Sequence, residues 1–143
     1  MTLLLCGAFV AGPGSGIAVA AKVGSFSFSV KRAGTIDRAT GLVTLTVAYV
    51  CTIPDGFSYD QSEIQVPVVG AGGRIDTNIY IIDGLSCDGQ HHNITGIEFN
   101  SESKAAGRAR YTAGGFVLWT NANGDFGQAD YFINGSVILR PIR

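Results

Sequence analysis

From Ser25 onward, apolar and polar residues alternate with a period of two. Phe26, Phe28 and Val30 are interleaved with Ser25, Ser27, Ser29 and Lys31. Val43, Leu45, Val47 and Tyr49 are interleaved with Thr44, Thr46 and Ala48. Ile64, Val66 and Val68 repeat the pattern, followed by Ile75, Thr77, Ile79 and Ile81. Side chains two apart share one face of a strand, so each run offers one apolar face. Further β-rich runs cover Ile94–Phe99, Arg108–Thr112, Phe116–Thr120, Ala129–Ile133 and Ser136–Leu139.

Turn signals separate the runs: Ala39-Thr40-Gly41, Asp55-Gly56, Gly70–Gly73, Asp83-Gly84, Asp88-Gly89 and Asn123-Gly124. These residues tolerate positive φ and favour tight reversals. Only Ser101–Ala106 has room for a helical turn, and it is too short to stand alone. About seven to nine strands spaced near ten residues apart predict an antiparallel sandwich, with a small β-barrel as the alternative. Asn134-Gly135 interrupts the last apolar run. It predicts a bulge in one long strand in preference to a two-residue hairpin.

Composition narrows the classes. The chain has 143 residues, of which 15% are charged, and its formal net charge is −1. No basic excess is available to neutralise phosphates, which argues against a nucleic-acid partner. Eight Phe, five Tyr and one Trp are too many aromatics for a disordered acidic chain. The length suits one domain with a real core.

The N-terminal twenty residues carry no charged side chain. Leu3–Ala11 is a short apolar run, Gly12-Pro13-Gly14 breaks it, and Ala18-Val19-Ala20 places small residues before Ala21. This is the layout of a secretory signal peptide over residues 1–20, leaving a β domain over residues 21–143. An uncleaved membrane anchor is the rival reading of the same segment, but a spanning helix needs ~20 apolar residues and the unbroken run Leu3–Ala11 is far shorter. No later segment is apolar for long enough to cross a membrane. The expected location is therefore extracellular.

Removal of Cys6 with the leader leaves Cys51 and Cys87. Two cysteines in a small exported chain are most simply a disulfide, which would stabilise the fold by roughly 3–4 kcal/mol. Zinc would want closely spaced cysteine pairs, and a catalytic thiol would want a reducing compartment and a placed histidine.

Other chemistry is thin. His91 and His92 are neighbours, and neighbours on a strand point to opposite faces, which suits no metal site. There is no G-x-S-x-G elbow. Asp125 with Asp130, or Glu98 with Glu102, could be paired as glycosidase carboxylates, but nothing singles them out. Gly70–Gly73 precedes a β run, whereas a phosphate cradle needs a helix there. Trp119, Phe126, Tyr131 and Phe132 cluster late in the chain among Asn121, Asn123 and Asp125. They are either core or a contact surface, and Trp119, Phe126 and Tyr131 are the candidate binding residues. No catalytic residue, metal ligand or cofactor is assigned.

Ala48-Tyr49-Val50-Cys51 ends a β run as the second strand of an immunoglobulin-like sandwich does. Cys87-Asp88-Gly89-Gln90-His91-His92 and Gly107-Arg108-Ala109-Arg110-Tyr111 follow. In this combination the chain resembles small exported immunoglobulin-like domains of bacteria over roughly Ser25 to Leu139. It departs from antibody-type domains because Trp119 lies after Cys87 and not between the two cysteines. The enediyne-binding apoproteins share the size and fold class but carry two short-loop disulfides, which this chain cannot form.

The expected function is a secreted, non-enzymatic binding or interaction module. Its partner would be a protein, a glycan or a small molecule. The alternatives are a small-molecule carrier with an apolar cleft of at least roughly 300 Å³, or a small secreted hydrolase. A further reading is an oligomer that pairs through a sheet edge at Ser136–Leu139.

Overall fold

The computed structural model describes residues 23–69, 75, 76, 79, 80 and 84–142. The expected leader, Cys6 and the Gly70–Gly73 loop lie outside the described residues.

Every expected run contributes strand among the described residues, and one strand, Ala33–Asp37, forms outside the expected runs. β1 (Ser25–Val30), β2 (Ala33–Asp37) and β3 (Leu42–Thr52) bury every second residue. β4 (Ser58–Gln65), β5 (Val68–Val69), β6 (Ile75–Asp76) and β7 (Ile79–Tyr80) follow. The last three strands are long: β8 (Asp88–Asn100), β9 (Gly107–Thr120) and β10 (Phe126–Ile142). There are ten strands where about seven to nine were expected. β2 lies outside the expected runs, and the Ile64–Val68 and Ile75–Ile81 runs each contribute two strands, while Arg108–Thr112 with Phe116–Thr120 and Ala129–Ile133 with Ser136–Leu139 each join into one. No described residue is helical, and Ser101–Ala106 contains only a turn.

All ten strands belong to one sheet that is mixed, not purely antiparallel. β1, β3 and β8 pair antiparallel on one side, and β4, β9 and β10 on the other. β2 bridges them. It touches β3 at Thr35 and Ile36 and runs parallel to Ile138–Ile142 of β10. The parallel pair arises because only Lys31 and Arg32 separate β1 from β2. The chain continues in its direction there and does not reverse. A closed barrel is not formed, since β8 ends the sheet on one side, β7 ends it on the other, and the two do not pair.

The inner faces of the two halves meet in one hydrophobic cluster. It includes Phe26, Ile36, Leu45, Val47, Val117 and Val137. Phe28 of β1 meets the edge of Tyr131 of β10, with ring centroids 5.6 Å apart. Cys51 and Cys87 form the expected disulfide. It ties the end of β3 to the start of β8 and closes the loop that carries β4 to β7. Tyr49 and Tyr59 hold the same segment, accepting hydrogen bonds from the Ser86 and Gly84 amides at 3.1 and 3.0 Å. β8 slips register against β3 between Leu45 and Thr46, where Gly96 takes a φ of 73°. A β-branched residue there would be strained, so glycine fixes the bulge.

β10 corrects one expectation. Asn134 and Gly135 stay in unbroken register with Thr112 and Tyr111, so there is neither a bulge nor a hairpin. The glycine has a packing reason. A Cβ on Gly135 would fall 2.5 Å from Cζ of Tyr111, whose ring covers it from the opposite strand. Two further pairs on the same ladder repeat the arrangement, Trp119 over Gly127 and Phe132 over Gly114. A glycine inside a strand leaves backbone uncovered, and an aromatic directly opposite supplies the missing cover. Ser136–Leu139 is also not a sheet edge. β9 pairs along all of it, and β2 flanks it from Ile138 onward.

Candidate functional site

The β9–β10 ladder is in continuous register from Phe126 opposite Thr120 to Leu139 opposite Gly107. Directly paired residues lie on the same face, so the ladder separates the late aromatics by parity. Trp119, Tyr131 and Tyr111 belong to the inner face. Phe116, Leu118, Phe126 and Phe132 belong to the outer one.

This corrects the expected binding surface. Trp119 is only 7% exposed and is part of the core. Tyr131 is half-buried against Phe28. Phe126 alone of the three is open to solvent, at 79% exposure. The structure therefore does not bring Trp119, Phe126 and Tyr131 into one surface.

A different surface is built. Phe132 is 76% exposed, although it lies in the middle of a paired strand. Its ring rests over Gly114, where a Cβ would sit 2.7 Å from Cδ1 of Phe132. Next along the ladder, Phe116 of β9 lies between Glu63 of β4 and Asp130 of β10. Gln65 Nε2 donates to Glu63 Oε1, and Gln128 Nε2 donates to Asp130 Oδ1. Each amide is thereby aligned along its strand beside a carboxylate. Glu63, Gln65, Gly114, Phe116, Asp130 and Phe132 enclose an open groove of about 150 Å³.

The far end of the same face is basic. Arg110 pairs with Ser136 and Arg108 with Ile138, and Arg140 lies two residues further along β10. All three are exposed, and none has a carboxylate partner among the described residues. Arg32 and Arg108 border an open cavity of about 430 Å³ with Tyr111 and Ser136. This cavity exceeds the volume expected of a carrier, but Arg32, Arg108 and Ser136 share its walls with Val30 and Ile138, so it is a mixed surface and not an apolar cleft.

His91 and His92 diverge as neighbours on a strand must. His92 Nε2 lies 2.8 Å from Asp88 Oδ1, and its ring stacks on Tyr49 with centroids 5.3 Å apart. That hydrogen bond, joined by one from the Gln90 amide, holds the Asp88 carboxyl below its ordinary value. His91 borders an open cavity of about 200 Å³ with Ser27, Ser29 and Val50. Among the described residues no three His, Cys, Asp or Glu side chains cluster as metal ligands. Asp125 accepts a hydrogen bond from Asn121 Nδ2 in the β9–β10 turn. Asp130 lies five residues further along a strand, roughly 16 Å away at about 3.3 Å per residue. Glycosidase carboxylates stand about 5–9.5 Å apart, so these two do not make such a pair.

Sequence reasoning missed Phe116, Glu63 and the three arginines. The parity of Phe126, Gln128, Asp130 and Phe132 was available in the sequence. The neighbouring strands that complete the face were not. Among the described residues no helix is long and apolar enough to cross a membrane. No family model, no curated protein and no solved structure matches the chain.

Proposed function

We propose that the chain is an exported, non-enzymatic interaction module of immunoglobulin-like topology, and that it makes contact through the outer face of β4, β9 and β10. One observation carries the reading: the exposure of Phe132 over Gly114. A Phe ring costs roughly 1.5–3 kcal/mol to leave in water when it could be buried. Here the adjacent strand gives up a side chain to seat the ring on the solvent side. Phe126 is exposed on the same face, and Phe116 and Leu118 extend it. A contiguous apolar surface rimmed by polar groups is how contact sites present themselves.

The topology supports the module reading. β1, β3 and β8 pair as the A, B and E strands of an immunoglobulin sandwich do, and β4, β9 and β10 pair as C, F and G. The disulfide joins β3 to the start of β8, where antibody domains join B to F. The disulfide also fits an oxidising compartment outside the cytosol.

The test replaces Phe132 with the photoreactive analogue benzoylphenylalanine in the full chain, expressed in an exporting host. Glu98, exposed on β8 in the other half of the sheet, carries the analogue as a control. Cross-linked adducts at position 132 and none at position 98 are expected. Equal adducts at both positions, or none at 132, would overturn the proposal.

A further inference from the structure

The outer face of β9 and β10 is charge-segregated along its length, and its two ends are complementary. Arg108, Arg110 and Arg140 occupy one end. Glu63 and Asp130 occupy the other, with Asp60 and Asp125 just beyond them. Between the two ends lie uncharged positions: Thr112 and Asn134, then Gly114 and Phe132. From this geometry we infer that the occupant of the face is a second copy of the chain, docked face to face about a two-fold axis that crosses the ladder near Ala113 and Ile133. The inference rests on the proposal that this face is the contact surface.

Register fixes what meets what. An axis in the interface plane at that level lays β9 over β9 with the strands antiparallel. Arg110, three residues to one side of Ala113, then falls over Phe116, three residues to the other side. Phe116 is flanked in register by Glu63 and Asp130. A guanidinium over an aromatic ring between two carboxylates is satisfied by cation–π attraction and ion pairing together. Arg108 falls over Leu118 beside Gln61 and Gln128. Arg140 reaches the Phe126 end, beside Asp125 of the turn. Phe132 sits one residue from the axis, so the two exposed rings pack beside it. The same contacts occur twice, as a self-complementary two-fold interface requires.

Size and shape agree with this occupant. The β9–β10 ladder is 14 residues long. At about 3.4 Å per residue and about 4.8 Å between three strands, it covers on the order of 600 Å² per copy, near the ~800 Å² per partner of a standard interface. Two sheet faces stacked with nearly aligned strands are an ordinary packing of β structure. A two-fold axis parallel to the strands would instead set arginine over arginine.

The experiment is sedimentation equilibrium of the full chain from micromolar to millimolar concentration. It includes Asp130→Arg, Arg110→Asp, an equimolar mixture of the two, and Phe132→Ser. Wild type is expected to dimerise, more weakly as salt rises. Each charge variant alone should dimerise at least tenfold more weakly. The mixture should recover the wild-type constant, because a mixed pair restores opposite charges at both contacts. Phe132→Ser should be monomeric and should melt close to wild type when both are diluted below the dimer constant, where association adds no stability. A wild type that stays monomeric to millimolar concentration, or a mixture no better than its components, overturns the second copy as occupant. It leaves the contact-surface reading to the cross-linking test, where adducts of any mass other than two chains would point to a different partner. A Phe132→Ser protein that melts far below wild type at that dilution overturns the contact-surface reading itself.

Discussion

Trp119 lies directly across the β9–β10 ladder from Gly127, and a Cβ on that glycine would fall 2.7 Å from Cε2 of the indole. The indole is buried and cannot swing away. Replacing Gly127 by Ala should therefore destabilise, although alanine reduces the freedom of the unfolded chain. Overpacking typically costs about 1–3 kcal/mol, against a gain of roughly 0.4–1 kcal/mol from the unfolded state. Gly114→Ala meets a Phe132 ring that is free to rotate into solvent, so its cost should be smaller. Urea unfolding of both variants checks the order. A Gly127→Ala protein as stable as wild type would refute the packing argument.

Trp119 and Phe126 separate core from contact surface. Trp119→Ala should cost roughly 3–5 kcal/mol, because a large buried ring leaves a cavity. Phe126→Ala should change stability by no more than about 0.5 kcal/mol. Denaturant midpoints measured at constant m-value give both numbers. Equal losses at the two positions would contradict the assigned parity of β9 and β10.

Reduction of Cys51–Cys87, or its replacement by a pair of alanines, should remove about 3–4 kcal/mol in the chain-entropy description. That corresponds to a fall in Tm on the order of 10 °C. Calorimetry with and without reductant measures it. The sheet should survive, because β3 and β8 keep their ladder hydrogen bonds. Loss of the far-UV β signal on reduction at low temperature would show that the bridge is instead needed for folding.

Two exposed carboxyls should shape the acid limb of stability. The backbone amides of Ala39 and Thr40 hold Asp37 below its ordinary value of 3.8. The His92 ring and the Gln90 amide do the same for Asp88. A carboxyl with a depressed folded-state value stabilises the protein above the unfolded value of 3.8. That contribution is lost as pH falls below 3.8 through the folded value. Asp37→Asn with Asp88→Asn should therefore flatten the stability curve on the acid side of 3.8. Carboxyl titration by NMR should place both groups below that value. An acid limb identical to wild type would exclude this role.

Period-two alternation was enough to predict an all-β fold and which residues of β1 and β3 face the core, and the cysteine count predicted the Cys51–Cys87 bridge. These need little tertiary information: a strand's pleat sets its own parity, and two cysteines left in a small domain with no zinc-type spacing have few other fates. Order and register among strands came only with the tertiary structure. The parallel docking of β2 on β10 depends on where β9 places β10, far along the chain. Gly135 read as a break because its covering ring, Tyr111, lies 24 positions earlier. Trp119 and Phe126 looked alike in sequence, and their opposite fates follow from β10 pairing that puts one against Gly127 and leaves the other facing water. The separation of arginines from carboxylates is likewise invisible along the chain. Arg110, Glu63 and Asp130 share one face only because β4, β9 and β10 pair side by side, and non-local pairing is the information a single sequence carries least directly.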